Sequence, residues 1–208
     1  MPHQNQNHGQ RLVGLLLFFA AAFSCAAQPH AGAFWNVKPA SEWTAEEVRQ
    51  ILSNSPWATF SKATLGPDLK IHIASAEPMI AAEALERQAR RYRVDTGPSF
   101  EEYQAMIKDG HSIALAVLMP DPDAMYDAVE SRSLERDSVL HAGKRTYKLV
   151  TNFPPSPGDP YLRYIFPRDV RPGDKSLMFE IYIPGVIYPE RHIEFDLKDM
   201  NYRGKPAY

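Results

Sequence analysis

Five histidines lie beyond residue 27: His30, His72, His111, His141 and His192. Imidazoles form a local zinc site when two of them stand two to four residues apart. No pair here does, and neither His-Glu-x-x-His nor His-x-His occurs. A serine nucleophile on a strand-to-helix elbow needs Gly-x-Ser-x-Gly, which is missing. A thiol nucleophile needs a cysteine, and Cys25 is the only one. No glycine-rich loop leads from a strand into a helix, so the usual phosphate cradle is also missing. The best oxygen cluster is Asp121-Pro122-Asp123 with Asp127. Calcium draws several carboxylates and carbonyls from one loop, but Met125 and Tyr126 stand where a third alternate ligand and a glycine belong. Asp121 is better read as a carboxylate complementing a helix N-terminus, and no cofactor is expected.

Arg87, Arg90, Arg91 and Arg93 make a dense basic segment that could clamp an anionic glycan or a phosphate group. The plainer reading is the wet face of an amphipathic helix, because Glu83 with Arg87 and Glu86 with Arg90 are i,i+4 pairs in the favourable order. Trp43 and Trp57 offer the chemistry of an aromatic ligand platform. An indole buries so much area that pinning a helix to a core is the simpler role for both. His72 and His192 fall at outward positions of alternating segments, where a surface location is the default. Glu101 and Glu102 diverge around a helix axis and do not form a catalytic pair.

The elements that would position these groups are legible from periodicity. Thr44 and Glu47 have capping-box spacing, with Trp43 and Val48 at the two staple positions, and Val48, Ile51 and Leu52 form one apolar stripe. That helix should stop before Pro56. Leu69 to Ser75 alternates as a strand, and Glu77-Pro78 opens a helix running to about Arg93. Ser99 with Glu102 caps another helix that ends at Gly110. Ser112 to Met119 reads as a strand buried on both faces. Ser138–His141 and Arg145–Val150 flank Ala142-Gly143-Lys144 as a hairpin.

Between Tyr161 and Asn201 three segments alternate, with apolar faces Leu162/Tyr164/Phe166, Leu177/Phe179/Ile181/Ile183 and Ile193/Phe195/Leu197. Pro172-Gly173-Asp174 and Pro184-Gly185 supply turns between them, which predicts an antiparallel meander. The expected class is therefore α+β. An antiparallel sheet, with a sandwich as one form of it, fills the C-terminal half, and inserted helices fill the N-terminal half.

The first residues carry an address. Arg11 precedes an apolar run from Leu12 to Phe23, followed by small residues at Ser24 to Ala27. That run is shorter than the roughly 20 residues of a membrane span and fits a secretory leader. The expected organisation is a signal peptide over 1–27, a flexible lead-in over 28–42 with Trp35 as an anchor, and one α+β domain over 43–208. Cleavage after Ala27 gives a soluble chain. The alternative, lipid modification at Cys25, lacks the usual Leu three residues before the cysteine. By either route no disulfide forms within the exported chain. Removing residues 1 to 27 takes only Arg11 from the 23 basic side chains, leaving 22 against 25 acidic. Such a balance gives no footprint for nucleic acid, and membrane contact would come only through a lipid on Cys25.

The phrase Trp43-Thr44 … Glu47-Val48 … Ile51-Leu52 … Ser55-Pro56-Trp57-Ala58 resembles a recurrent segment of uncharacterised exported proteins known mainly from acidobacteria. The stretch from Ile193 to Lys205 is similar to how those chains end. The resemblance implies export and a shared domain; it implies no activity and no catalytic residue. The expected function is a non-catalytic binding or structural module of the cell envelope, holding another envelope protein or a glycan. The alternative is an envelope hydrolase acting on glycan or peptide through carboxylates that spacing does not reveal. Fused to a reporter, residues 1 to 27 should carry it out of the cytoplasm, with Gln28 as the new N-terminus. A reporter retained in the cytoplasm would refute the leader, and a lipid adduct on Cys25 by mass spectrometry would refute the cleavage site.

Overall fold

Ile113, Leu115 and Val117 alternate with Ala114 and Ala116, and all five are buried, so their strand has protein on both sides. It forms the middle of the architecture. The computed structural model describes residues 33 to 62, 66 to 89 and 97 to 208. Within them the helices are α1 (Phe34–Val37), α2 (Ala45–Ser53), α3 (Glu77–Ala89), α4 (Gly97–Lys108) and α5 (Ala128–Asp137), with 3-10 turns at Ala40–Glu42 and Pro122–Tyr126. The strands are β1 (Ala58–Ser61), β2 (Leu69–Ile73), β3 (Ser112–Leu118), β4 (Val139–Ala142), β5 (Arg145–Lys148), β6 (Thr151–Phe153), β7 (Tyr161–Pro167), β8 (Ser176–Tyr182), β9 (Glu190–Asp196), β10 (Asn201–Tyr202) and β11 (Lys205–Pro206). The fold is α+β with antiparallel sheets. Among the described residues no helix is long and apolar enough to cross a membrane.

One sheet runs β1-β2-β3-β7-β6 and a second runs β5-β4-β8-β9, every pairing antiparallel. Their apolar faces share one core, with Ile71, Leu115, Tyr164 and Phe166 from the first and Leu140, Phe179, Ile181 and Phe195 from the second. Phe179 sits at its centre, edge-on to Phe166 at 5.6 Å and to Phe195 at 6.0 Å between ring centres. The other face of the five-stranded sheet carries Ala74, Ala114, Ala116, Tyr161 and Ile165 against Phe100 and Tyr103 of α4.

The three C-terminal segments have the apolar faces expected of them, but they are not one meander. β8 and β9 pair over seven residues, whereas β7 pairs with β3 and β6 in the other sheet. Alternation fixes which way a side chain points and says nothing about which strand lies alongside. The crossing between the sheets is fastened by Arg145, which donates to the Asp169 carbonyl at 2.8 Å and to the Asp174 carboxylate at 2.6 Å. Hydrogen bonds from Arg171 and Tyr147 hold the Asp169 carboxyl down to about 2. The expected strand Arg145–Val150 likewise breaks after Lys148. Leu149 N donates to Ser138 in one direction and Val150 N to Ile165 in the other, so the chain changes sheets within two residues.

Residues 33 to 42, expected as a flexible lead-in, are structured. Trp35 is buried and meets Phe34 and Trp57 edge-on, and Phe34 in turn meets Trp43. Four large rings bury enough area to order a segment that has no periodicity of its own. The capping box of α2 is complete: Glu47 N donates to Thr44 Oγ1 at 3.2 Å, and Thr44 N to Glu47 Oε2 at 2.6 Å. Helix α4 starts at Gly97, two residues before the expected cap. Trp57 Nε1 donates to the Ala207 carbonyl, tying the end of α2 to residues 150 positions away. Phe179→Ala should cost ~3–5 kcal/mol of stability in urea unfolding, as truncation of a central ring does. His192→Ala on the exposed face should stay within about 0.5 kcal/mol of the parent. Equal costs would mean the faces are inverted.

Candidate functional site

The densest group of ionisable side chains lies on the outer face of the five-stranded sheet. His72 on β2, Ala116 on β3 and Arg163 on β7 stand opposite one another across three strands. The small Ala116 leaves a hollow between the two larger side chains, and Glu83 reaches into it from α3. Arg163 uses all five of its N–H groups. Nε donates to Asp159 at 2.7 Å, Nη2 to Asp159 and to Glu83 at 2.9 Å each, and Nη1 to Glu83 and to the Tyr103 hydroxyl at 3.1 Å each. Arg87 adds a bond to Glu83 Oε2 at 3.2 Å, one turn along α3. The Arg163 guanidinium lies 4.3 Å from the Tyr103 ring centre and 5.4 Å from that of Tyr161.

Burial pushes the Glu83 carboxyl up. The Arg163 charge and the His72 hydrogen bond outweigh it and hold the group well below the usual carboxylate range. Burial likewise works against the Arg163 charge, and Glu83, Tyr103 and Asp159 overcome it. For His72 burial wins: the imidazole is pushed below its ordinary 6.5 although Glu83 favours its charged form. A neutral His72 facing an ionised Glu83 at 2.6 Å carries its proton on Nε2 and donates it. Nδ1 is then a buried acceptor with no partner among the described residues. Burial raises the phenols of Tyr103 and Tyr161 and lowers the Lys70 ammonium, which lies 3.4 Å from the Tyr161 hydroxyl.

A histidine, a carboxylate and an arginine at these distances look like acid–base machinery, but His72 and Arg163 are fully buried and the side chain of Glu83 is only 4% exposed. Both Glu83 oxygens and both Asp159 oxygens already accept hydrogen bonds. Apart from the buried Nδ1 of His72, the polar atoms of that arrangement are spent on one another. Chemically it is a lock that joins α3, α4, β2 and β7.

The residues singled out by sequence lie elsewhere or at its margin. Trp43 and Trp57 are buried in the apolar core and present no face to a ligand. Arg87 makes the expected pair with Glu83 and stacks over Phe100 at 4.8 Å. Arg90, Arg91, Arg93 and Cys25 lie outside the described residues. Asp121 caps the 3-10 turn through Asp123 N at 3.1 Å, and Asp127 caps α5 through Val129 N at 2.7 Å and Glu130 N at 3.2 Å. Among the described residues no three His, Cys, Asp or Glu side chains are grouped to hold a metal ion. His72, expected at the surface, is fully buried because α3 covers a face that alternation alone leaves wet. Arg163 carries no spacing signal; its clue is that it belongs to a strand next to the doubly buried β3, where a charge needs a partner.

The second polar region is the outer face of the four-stranded sheet. Glu180 stands between His141 and His192, its Oε1 at 3.4 Å and 3.7 Å from their Nε2 atoms. Beside them β9 presents Glu190, His192, Glu194 and Asp196 to solvent, all exposed, while Arg191, Ile193 and Phe195 point inward. No family model, no curated protein and no solved structure matches the chain.

Removing one member of the lock strands the others. Arg163→Met should destabilise by ~3–5 kcal/mol, since two carboxylates are left buried without their cation. The pH dependence follows from the two depressed groups. Stability from His72 is fully present above its unfolded value of 6.5 and is lost as pH falls through its lower folded value. Glu83 adds a further loss below its ordinary 4.5. Urea midpoints measured from pH 8 to pH 4 should therefore decline on acidification, and His72→Gln, which keeps the donor to Glu83, should flatten the first part of that decline. An identical slope in the variant would show that His72 is not the group responsible.

Proposed function

We propose that this chain is an exported, non-catalytic binding or structural module of the cell envelope. The observation that carries the reading is the state of the Arg163 cluster. The strongest perturbation of ionisable groups among the described residues is enclosed, charge-balanced and hydrogen-bonded to itself. Perturbed groups at a working active site face a cleft; these face one another. Export rests on the Leu12–Phe23 run and its small-residue flank, and the lack of a thiol beyond Cys25 suits a fold held by its core alone. The test is a screen of the purified chain against fluorogenic glycan and peptide substrates, beside an Arg163→Met control that removes the cluster. No turnover above the buffer rate is expected from either protein. Turnover that disappears in a stably folded His72→Gln or Glu180→Gln variant would replace this reading with the hydrolase.

A further inference from the structure

We propose that the free edge of β9 is a docking site for an extended basic segment of a partner protein, which joins the four-stranded sheet as a fifth strand. The proposal rests on the non-catalytic binding reading and supplies its site and the chemistry of its partner.

The two sheets have four terminal strands: β1 and β5 of four residues each, β6 of three, and β9 of seven. Short edges are a common protection against strand pairing. β9 has no such protection: it pairs in register with β8 along its whole length, contains no proline, and meets β1 of the other sheet without pairing to it. Its hydrogen-bonding phase is fixed at both ends, where Leu197 N donates to Lys175 and Ile183 N to Pro189. The odd-numbered residues of β9 therefore bond to β8, and the even-numbered ones turn their N–H and C=O groups away from the sheet. The Glu190 carbonyl accepts from the Arg191 guanidinium at 3.0 Å, and the Asp196 carbonyl from Asp199 N at 3.2 Å. His192 and Glu194 keep both backbone groups open among the described residues.

The even-numbered residues that offer their backbone also set the charge, because Glu190 and Glu194 stand on the same exposed face, beside Asp196, which Lys198 already holds at 2.6 Å. Two copies of this edge would oppose carboxylate to carboxylate, which disfavours self-pairing. A strand of opposite charge meets no such penalty. The register then dictates its pattern: Lys or Arg opposite Glu190 and Glu194, alternating with apolar residues that extend the layer of Ile193 and Phe195.

The probe is an acetylated, amidated octapeptide of alternating Lys and Val, added to the full chain and followed by amide hydrogen exchange and calorimetry. It should slow exchange at His192 and Glu194 by about tenfold or more at saturation. The same Lys-Val peptide with each Lys amide N-methylated has equal charge and no donor facing β9, and it should not protect them. Reversing charge with Glu190→Lys and Glu194→Lys should weaken the Lys-Val peptide by about tenfold or more. His192→Pro removes one outward N–H without touching the β8 ladder, and it should abolish protection at Glu194. Equal binding of the two peptides, protection confined to other strands, or indifference to the charge reversal would overturn the proposal, as would a dimer whose own contact already protects β9. None of those outcomes produces turnover, so they leave the non-catalytic reading standing. Substrate turnover would remove that reading whatever the peptides do.

Discussion

A guanidinium held between two carboxylates in a dry interior is the contact on which the arrangement of helices and sheet depends. Arg163 sits on the outer face of a sheet whose other face is the main apolar core, and every one of its donors is committed. Ionised Glu83 and Asp159 are tolerable there only because Arg163 and Arg87 neutralise them, and Arg163 is tolerable only because of them. Glu83 and Arg87 come from one turn of α3, and Asp159 and Arg163 from one stretch 80 positions on, so the cluster closes only when these two local pairs meet. The cluster thereby fixes the height of α3 above β2 and β7, and the contact of α4 through Tyr103.

An apolar filling of the same hollow would stabilise as well or better, since desolvating the three buried charges costs several kcal/mol for each ion before any attraction is counted. What the charged filling adds is geometric selectivity. A leucine cluster tolerates a helix slid by a turn, whereas a forked guanidinium accepts its carboxylates only in plane and at hydrogen-bond distance. Beneath it the sheet contributes alanines at 74, 114 and 116, side chains too small to dictate where a helix lies. Selectivity there has to come from polar contacts.

Much of this was written locally in the chain. The Thr44–Glu47 box, the buried faces of β8 and β9, and the doubly buried β3 all follow from period and cap chemistry within a few residues. Three things did not. The pairing of β7 with β3 spans about fifty residues and has no local trace. Phe34 and Trp35 order their segment through the rings at 43 and 57, so a window without periodicity hides a fixed structure. His72 looked solvated because alternation describes one sheet, and the helix that covers it comes from further along the chain. The charged lock is long-range in pairing, in coverage and in charge balance. Glu83 was legible as half of an i,i+4 pair with Arg87 and illegible as the counter-ion of Arg163, 80 positions away.

The bond from the Trp57 indole to the carbonyl of Ala207 bears on when the molecule can take shape. Trp57 emerges early in synthesis and is among the largest fully buried side chains, yet its single polar atom waits for a residue made 150 positions later. Met200, Tyr202 and Ala207 join the same core around it. Until they arrive, the indoles at 35, 43 and 57 have an unfinished wall, and the growing chain exposes aromatic surface that a chaperone can hold. An aromatic core that cannot close before the stretch around Ala207 is made stays open for the 150 residues of synthesis that separate it from Trp57.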